Sequence, residues 1–495
     1  MLSLTIFLPL ALAAVLLLPG LPSAVVRWGW VAASLAEVVL VGVLWARYET
    51  PAPGALAFEE QVPWIPGVGS SYHVGLDGLS LPLVAMTAVV FLACALFALR
   101  DEDRPASRAA LFLFLETVSV GVFAAADLIL FFVFFDLSIV AMYVVIAGWG
   151  HGDRARSALT FFLYTFLGSL ALLAGFIGLY LAADPHTFDM VQLARQDPFA
   201  GGGTAGVVVL GAILLGLAVK TPTVPFHTWL PPAHTDAPAV GSAVLAGVLL
   251  KLGTYGFVRL GMTLLPDAWR SWAWVVLVVG VVSVLWGVLV ALAQRDLKRM
   301  IAYTSVNHMG YVVLAVGAVG VVGGSTAQAR SVAVSGAVTQ MVSHGLVTAA
   351  LFLLAGLFWN RSGTYEISAF GGLAGPAPRT TGLFAVAAFA SLGLPGLSGF
   401  VAEFQVFTGS IAAVPWSAVA LLGILLVAAL LLWTLQRLFT GEAGPASATF
   451  TDVRAHELWA IAPLLVLSLV IGIAPRALLA VVEPAAAAVV AVLGG

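Results

Sequence analysis

Long apolar runs, each close to the length needed to cross a lipid bilayer, restrict the fold of this chain more than any other feature. Of its 495 residues, 61% are hydrophobic and only 9% are charged, whereas soluble domains carry about 25% charged residues. An α-helix needs about 20 apolar residues to span the hydrocarbon core. The sequence therefore predicts an all-α polytopic membrane protein, and it leaves no polar segment long enough for a soluble catalytic domain.

The apolar runs predict about 14 membrane spans joined by short loops. Because the first apolar run lacks a basic leading segment, we interpret it as a membrane helix rather than a cleaved signal. Lysine and arginine are about twice as frequent in the loops of one side, which by the positive-inside rule places both termini on the outer face. The predicted spans are 2–19, 25–46, 76–99, 109–126, 128–148, 157–182, 205–230, 238–262, 271–293, 298–319, 331–358, 379–409, 413–437 and 457–480.

Two of these spans are interrupted, by "KTPTVP" at 220–225 in span 7 and by "LGLPGLSGF" at 392–400 in span 12. Interrupted helices at corresponding places in two halves of a chain are typical of transport sites at a repeat interface. We therefore predict two inverted five-helix repeats, spans 4–8 and 9–13. The predicted domains are the N-terminal helices 1–108, the first repeat 109–262, the second repeat 271–437, and a C-terminal helix with a short tail, 457–495.

Ionisable side chains occur inside the spans, mostly near their midpoints, where a charge costs about 2.5–3.5 kcal/mol on insertion scales. Burial brings the charged and neutral forms of lysines and carboxylic acids closer in free energy, and imidazole can relay protons through either ring nitrogen. A row of such groups therefore predicts proton transfer across the middle of the membrane. Its members are Glu37, Glu116, Asp136, Lys220, Lys251, His308, His344 and Glu403.

Some of these residues also admit a structural interpretation, as hydrogen-bond partners between helices. Lys220 and Lys251 have no comfortable structural role at that depth, whereas His227 and His234 flank the "TWLPP" turn and are interpreted as structural or entrance residues. The residues open to the structural interpretation are Glu37, Glu116, His308 and His344.

Redox chemistry and nucleotide binding are not expected in this chain. Its single cysteine, Cys94, excludes a disulfide framework and a cysteine-ligated iron–sulfur cluster within the chain. No glycine-rich nucleotide loop of the G-x-G-x-x-G or Walker type occurs, and nothing indicates nucleic-acid binding. Any such chemistry must therefore take place on a partner subunit.

Four blocks of the sequence resemble the antiporter-like subunits of respiratory complex I. They are "GLAVKTPTVPFHTWLPPAHTDAPAVGSAVLAGVLLKLGTYGFVR", "QRDLKRMIAYTSVNHMGYV", "QMVSHGLVTAALFLLAG" and "LPGLSGFVAEF". The resemblance covers about residues 70–410 and extends to subunits of multisubunit cation/proton antiporters and membrane-bound hydrogenases. Glu403 in span 12, and the short segment after span 14, resemble the M-type subunits, the counterparts of mitochondrial subunit 4.

The resemblance implies a role for each matching residue. Lys220 matches the central lysine of span 7 and Lys251 the relay lysine of span 8. Glu116 matches a second membrane carboxylate with a weaker role. Asp136 matches the acid paired with the span 7 lysine, which is usually glutamate in the family, so the carboxylate here is one methylene shorter. The remaining relay positions, ending in the terminal acid, are matched by His308, His344 and Glu403.

The resemblance also implies a function: a proton-translocating subunit of NADH–quinone oxidoreductase in a bacterial plasma membrane. L-type and N-type antiporter-like subunits and lipids would flank it. It would hold no cofactor, while NADH, FMN, iron–sulfur clusters and quinone would bind to partner subunits. A cation/proton antiporter subunit, a hydrogenase subunit and a scaffold with an inactive channel remain alternatives. The choice between protons and sodium ions and the electron donor also remain open.

Overall fold

The computed structural model describes residues 1–494 and contains 18 α-helices and one β-hairpin in that part of the chain. The first ten helices are α1 Leu2–Leu16, α2 Ser23–Ala46, α3 Ser80–Phe97, α4 Pro105–Ala124, α5 Leu128–Trp149, α6 Arg154–Ala182, α7 Met190–Gln196, α8 Thr204–Lys220, α9 Leu230–Asp236 and α10 Ala239–Met262. The other eight are α11 Pro266–Leu292, α12 Leu297–Gly320, α13 Ala327–Ser362, α14 Pro378–Ser391, α15 Ser398–Ala413, α16 Leu421–Phe439, α17 Ala455–Ile473 and α18 Arg476–Val492.

The predicted class of helical membrane protein is confirmed. Ten helices in the described residues are long and apolar enough to cross a membrane, and α1 and α8 are shorter apolar helices. The total of 14 spans stays a prediction. The last predicted span ends earlier than expected, because α17 stops at Ile473 and a separate helix, α18, replaces the predicted tail.

The predicted loop 47–75 contains a β-hairpin that the all-α prediction did not include. Strands β1 (Ala57–Ile65) and β2 (Ser70–Leu76) pair antiparallel around a turn that closes at Gly69, whose φ of 63° suits glycine. The hairpin is anchored beside α5, because the amide of Ala126 donates to the carbonyl of His73 (2.8 Å). It is thereby fixed next to the helix that carries Asp136.

Asp127 joins the hairpin to the start of α5. Its Oδ1 accepts from the amides of Ile129 (2.9 Å) and Leu130 (3.1 Å), which caps the helix. The same carboxylate accepts from the Ser70 hydroxyl and the Ser71 amide, both at 3.0 Å. One buried carboxylate therefore binds the start of strand β2 and caps the start of α5.

Both predicted helix interruptions are confirmed. The first lies between α8 and α9, and the second between α14 and α15. Backbone groups freed inside a membrane need partners within the protein. At the first break, the Trp229 indole donates to the carbonyl of Val219 (3.0 Å), and the Val224 amide donates to the Ser283 hydroxyl (3.0 Å).

Helices α11 and α12 approach closely along most of their lengths. A Cβ on Gly287 would lie 2.6 Å from the Asn307 amide nitrogen, and one on Gly310 would lie 2.7 Å from that of Val284. Small residues allow such close packing in membrane bundles. The Asn307 side chain then donates to the carbonyl of Val284 (2.7 Å), which fixes the turn that carries His308.

Candidate functional site

The structure buries the predicted relay in the middle of the bundle. Lys251 on α10, His308 on α12, His344 on α13 and Glu403 on α15 are at most 5% exposed. Helix α13 packs against all three of the other helices, so it brings together residues from distant parts of the chain. These four residues form one connected group that begins at Lys251 and ends at Glu403.

Lys251 and His344 are in direct contact. The distance from the lysine Nζ to His344 Nδ1 is 2.6 Å, and the same Nζ donates to the carbonyl of Ala246 (2.5 Å). A π-turn at Leu245–Leu249 immediately precedes this lysine, and such turns are frequent at functional sites. A charged Lys251 donates to a His344 that carries its proton on Nε2, so one proton can move between the two side chains.

His308 continues the connection beyond His344. The two imidazole rings lie 5.4 Å apart between centroids and nearly perpendicular to each other. His308 Nε2 bonds the carbonyl of Ser391 (3.1 Å), and since a carbonyl only accepts, that nitrogen carries the proton. Ser391 is the last residue of α14, so the second helix break supplies the carbonyl that fixes this tautomer.

The free ring nitrogens of the two histidines are complementary. His344 Nε2 and His308 Nδ1 are both buried and have no hydrogen-bond partner in the described residues. In the state just described, the first is a donor and the second an acceptor. The neighbouring ring therefore carries an acceptor for a proton that leaves His344, but the two nitrogens are not hydrogen-bonded to each other in this structure.

Glu403 shares a small cavity with both histidines. The cavity has a volume of about 10 Å³, and Gln340 and Ser391 also line it; this volume is on the order of one water position. The carboxylate lies against Gly393 in the break, where an added Cβ would collide with Oε2. Gly393 has a φ of 78°, a backbone conformation that favours glycine, and the absence of a Cβ leaves room for the carboxylate.

Lys220 and Asp136 do not form the ion pair expected from the resemblance. Lys220 ends α8 at the first break, is 1% exposed, and donates to the Ser138 hydroxyl (3.1 Å). Its Nζ lies 4.9 Å from the centre of the Phe135 ring. No ion pair within 4.0 Å in residues 1–494 includes Lys220. Asp136 is one methylene shorter than the glutamate expected from the resemblance, so its carboxylate lies closer to its own helix.

Asp136 is only partly buried, unlike the other members of the row. Its Oδ1 is enclosed and has no hydrogen-bond partner in the described chain. Acids at membrane depth almost always face protein or a water-filled cavity rather than lipid. The exposed side of Asp136 is therefore expected either to be covered by another protein or to face a water-filled cavity.

Glu116 lies apart from the row. It is fully buried on α4 and accepts a hydrogen bond from the Ser34 hydroxyl of α2 (3.1 Å). Helix α3 packs against both of these helices and against α13. The structure therefore brings Glu116 towards α2 and not into contact with Lys251 or His344.

Two further buried basic residues lie outside the predicted relay. His234 is fully buried in α9, stacks on Phe352 with ring centroids 4.5 Å apart, and has no partner for either ring nitrogen in the described chain. Lys298, predicted at the edge of a span, is also fully buried; it donates to the carbonyl of Ala237 and lies 5.2 Å from the Tyr365 ring. In the sequence, His234 lies between the two prolines at 231 and 232 and the helix that carries Lys251. This position was the available signal that His234 belongs near the site.

His234 lies towards the predicted inner side of the relay. Its stacking partner Phe352 follows His344 by eight residues on α13, which is about 12 Å along a helix axis. Lys298 stands at the beginning of α12, at the same predicted inner end. These two residues extend the group of ionisable side chains from the centre of the bundle towards that surface.

Comparisons with known proteins identify the family. The family described as "NADH:quinone oxidoreductase/Mrp antiporter, TM" matches residues 125–431. NADH-quinone oxidoreductase subunit M of Rhodobacter capsulatus is 38% identical, over 98% of this chain and 96% of the relative. F(420)H(2) dehydrogenase subunit M of Methanosarcina mazei is 36% identical, over 100% and 98%.

Solved structures also match. A chain of respiratory complex I from Thermus thermophilus with bound NADH is 33% identical, with a TM-score of 0.90 and complete coverage of both chains. A chain of the Mrp complex from Dietzia sp. DQ12-45-1b is 23% identical, with a TM-score of 0.83, over 100% of this chain and 99% of that one. At this identity the second match shows the fold alone.

Proposed function

Because the chain belongs to the NADH:quinone oxidoreductase/Mrp antiporter transmembrane family, we propose that it is the M-type proton-translocating membrane subunit of NADH–quinone oxidoreductase. Its similarity to bacterial subunit M over almost the full length of both chains supports this assignment. As a subunit of that enzyme it contributes proton movement, while electron transfer takes place in other subunits.

The observation that carries the proposal is the connected group from Lys251 to Glu403. A 2.6 Å contact joins Lys251 to His344, neighbouring rings join His344 to His308, and one cavity joins both histidines to Glu403. A purely structural set of buried ionisable groups would have its hydrogen bonds satisfied. Here one ring nitrogen of each histidine, Nε2 of His344 and Nδ1 of His308, has no hydrogen-bond partner in the described residues.

Proton transfer along the group proceeds in four steps. Lys251 passes a proton to Nδ1 of His344, which releases its own proton from Nε2. His308 accepts that proton on Nδ1 and releases the proton that it carries on Nε2. Before the transfer, this second proton is hydrogen-bonded to the Ser391 carbonyl. Glu403 then receives the proton through the shared cavity, from which it leaves towards the outer face.

We assign the inner access to His234 and Lys298. His234 is enclosed with both nitrogens free, about two helical turns inward from His344. Lys298 is the buried basic group nearest the predicted inner end of α12. Protons entering on that side would reach Lys251 through these residues, and Lys251 would then be reloaded after each transfer.

Lys220 and Asp136 act as the control element in this proposal. In the described state Lys220 donates to Ser138 and not to Asp136. At 4 Å the ammonium and carboxylate would attract each other by about 4 kcal/mol at an effective dielectric constant near 20, and this attraction weakens as the two groups separate. Movement of one group relative to the other would therefore favour either the charged or the neutral state of Lys220. The partly exposed side of Asp136 is where a neighbouring subunit can produce the shift.

The assembly follows from the same proposal. L-type and N-type antiporter-like subunits flank the chain in a bacterial plasma membrane, with lipids around them and both termini on the outer face. NADH, FMN, iron–sulfur clusters and quinone bind to partner subunits. We also retain the division into 1–108, 109–262, 271–437 and 457–495, in which spans 4–8 and 9–13 form the two inverted repeats.

The Lys220→Ala variant tests the proposed function. The variant complex should still assemble with all the subunits of the NADH–quinone oxidoreductase, but it should no longer pump protons in sealed vesicles. Normal pumping by an assembled Lys220→Ala complex would refute the control role of this lysine. Replacing sodium by potassium in the same assay distinguishes protons from sodium ions, since proton pumping should not depend on sodium.

A further inference from the structure

Helices α2 and α4 face each other along a seam that contains two acids. Trp30 and Phe112 have ring centroids 5.2 Å apart, and one turn further along both helices Ser34 donates to Glu116. The two helices therefore run parallel. Glu37 follows Ser34 by three residues, so it projects from the same face of α2.

The polar atoms of this seam are enclosed, and most have no partner. Glu37 and Glu116 are both fully buried. Both carboxyl oxygens of Glu37, Oε1 of Glu116 and Nε1 of Trp30 have no hydrogen-bond partner in the described residues. Buried polar atoms are usually paired, and each exception needs an explanation. Four such atoms along one seam indicate a ligand rather than simple packing.

The basic groups of the two helices are distant and already paired. Arg27 on α2 bonds Glu102 (3.3 Å), and Arg108 on α4 bonds Asp101 (2.7 Å). Arg108 is eight residues from Glu116, about 12 Å along the helix axis. No ion pair in the described chain includes either seam acid.

The helices and strand packed against the seam helices supply no free cation. Arg100 is unpaired in the described chain and lies in the turn Ala98–Arg100, which also packs against α2, but its side chain is exposed. Helix α1 carries no ionisable side chain, and α3 contributes only Cys94. Helix α5 presents an acid and a tyrosine, and the basic groups of α10 and β2 are already bonded. The titratable or charged groups on α5, α10 and β2 are Asp136, Tyr143, Lys251, Tyr255, Arg259, Tyr72 and His73.

We propose that Glu37 and Glu116 form a proton-binding pair that is separate from the Lys251–Glu403 route. Two ionised carboxylates buried together without a cation are strongly disfavoured, whereas one bound proton removes a charge and lets a carboxyl O–H donate to the partner acid, directly or through a water. Ser34 orients Glu116 by donating to Oε2, which leaves Oε1 free to accept. The ligand is an exchangeable proton taken from water.

The pair is placed to act on the route by its charge rather than by contact. Helix α3 separates the seam from α13, and neighbouring helix axes lie about 8–10 Å apart. Interactions between buried charges over such distances are screened little by salt. Loading the pair would therefore bias the protonation of the relay. This consequence rests on the proposed function, while proton binding by the pair does not.

Infrared spectroscopy of the purified intact complex tests the pair without any turnover. Protonated carboxyl groups give a carbonyl band whose position shifts when water is replaced by D₂O. We expect the wild-type band to lose intensity in Glu37→Gln and in Glu116→Gln, and to shift in D₂O. Thr87→Val serves as the control, because this buried hydroxyl on α3 bonds only its own helix and should leave the band unchanged.

Two results would overturn the proposal. One is a protonated-carboxyl band of unchanged intensity in both glutamine variants, which would mean that neither acid holds a proton. The other is a band that is lost in the variants but does not shift in D₂O, which would mark a static structural proton. If Glu37→Gln does not assemble, Ser34→Ala should still change the band by removing the donor to Glu116. Failure of pumping would leave these spectra unaffected, so the two proposals are tested separately.

Discussion

Replacing Gly393 by alanine should disturb Glu403 through a single methyl group. A non-glycine residue in the left-handed region costs about 1–2 kcal/mol, and Gly393 has a φ of 78°. The added Cβ would also overlap Glu403 Oε2 and lie 3.1 Å from the carboxyl carbon, so the carboxylate must move from the cavity that it shares with the histidines. We expect Gly393→Ala both to destabilise the subunit and to slow proton release.

Gly396→Ala is a matched control in the same helix break. Gly396 has a φ of 95°, so alanine is strained there as well, but a Cβ at this position meets nothing within 4 Å. Both variants should therefore lower the thermal stability of the complex by similar amounts. Only Gly393→Ala should also lower the number of protons pumped per electron in sealed vesicles.

The comparison of these two variants separates strain from displacement of Glu403. If both variants pump equally well, or if both lose pumping to the same degree, the position of the carboxylate does not limit proton release. Either result would refute the reasoning from the cavity. A matched loss of stability with a pumping defect only at position 393 would support it.

Three further predictions concern groups outside or beside the relay. His73 lies on strand β2 of the hairpin. Burial alone lowers its pKa, but its hydrogen bonds to Asp189 (2.6 Å) and to a second carboxylate, together with their charges, raise the pKa overall. The protonated His73 should therefore stabilise the hairpin fully below pH about 6.5, and this stabilisation should be lost as pH rises through the raised pKa. Amide exchange in the hairpin should show this loss, and a His73→Gln variant should abolish the pH dependence; a hairpin that tightens with rising pH would contradict it. Asp136→Asn should severely reduce pumping and Asp136→Glu should be mild, whereas the reverse order in a vesicle assay would argue against an acid role. Glu457→Gln breaks a buried bidentate pair with Arg361 (2.7 and 2.6 Å) and should destabilise the subunit by about 3–5 kcal/mol; an unchanged unfolding temperature would show that the pair is not important for stability.

The helices were predictable from the sequence because apolar length is a strong constraint in a membrane. Predicted span 128–148 corresponds to α5 at Leu128–Trp149, and predicted span 25–46 to α2 at Ser23–Ala46. The breaks were also predictable, since prolines and glycines interrupt otherwise apolar runs at Lys220 and at Ser391.

The hairpin and the last helix could not be predicted in the same way. Strand β1 is largely exposed on both faces, so its sequence lacks the alternation that marks a half-buried strand. Helix α18 follows α17 after only two residues, Ala474 and Pro475, and hydropathy does not distinguish it from a continued span.

The site was only partly predictable, for a different reason. Burial of Lys251, His308 and His344 follows from their positions in apolar spans. The contact between Lys251 and His344, by contrast, joins residues 93 positions apart and depends on how α10 packs on α13. The absence of an ion pair between Asp136 and Lys220 likewise depends on where the packed helices place the two side chains, which no pattern in a single sequence specifies.

The most direct test of the central claim is the number of protons pumped per electron by a complex that carries Lys251→Met. Methionine keeps most of the volume of the lysine side chain and removes the proton that passes to His344. If protons move from Lys251 to Glu403, the variant complex should assemble and oxidise NADH but pump fewer protons per electron than the wild type. An assembled Lys251→Met complex with an unchanged ratio would contradict the account.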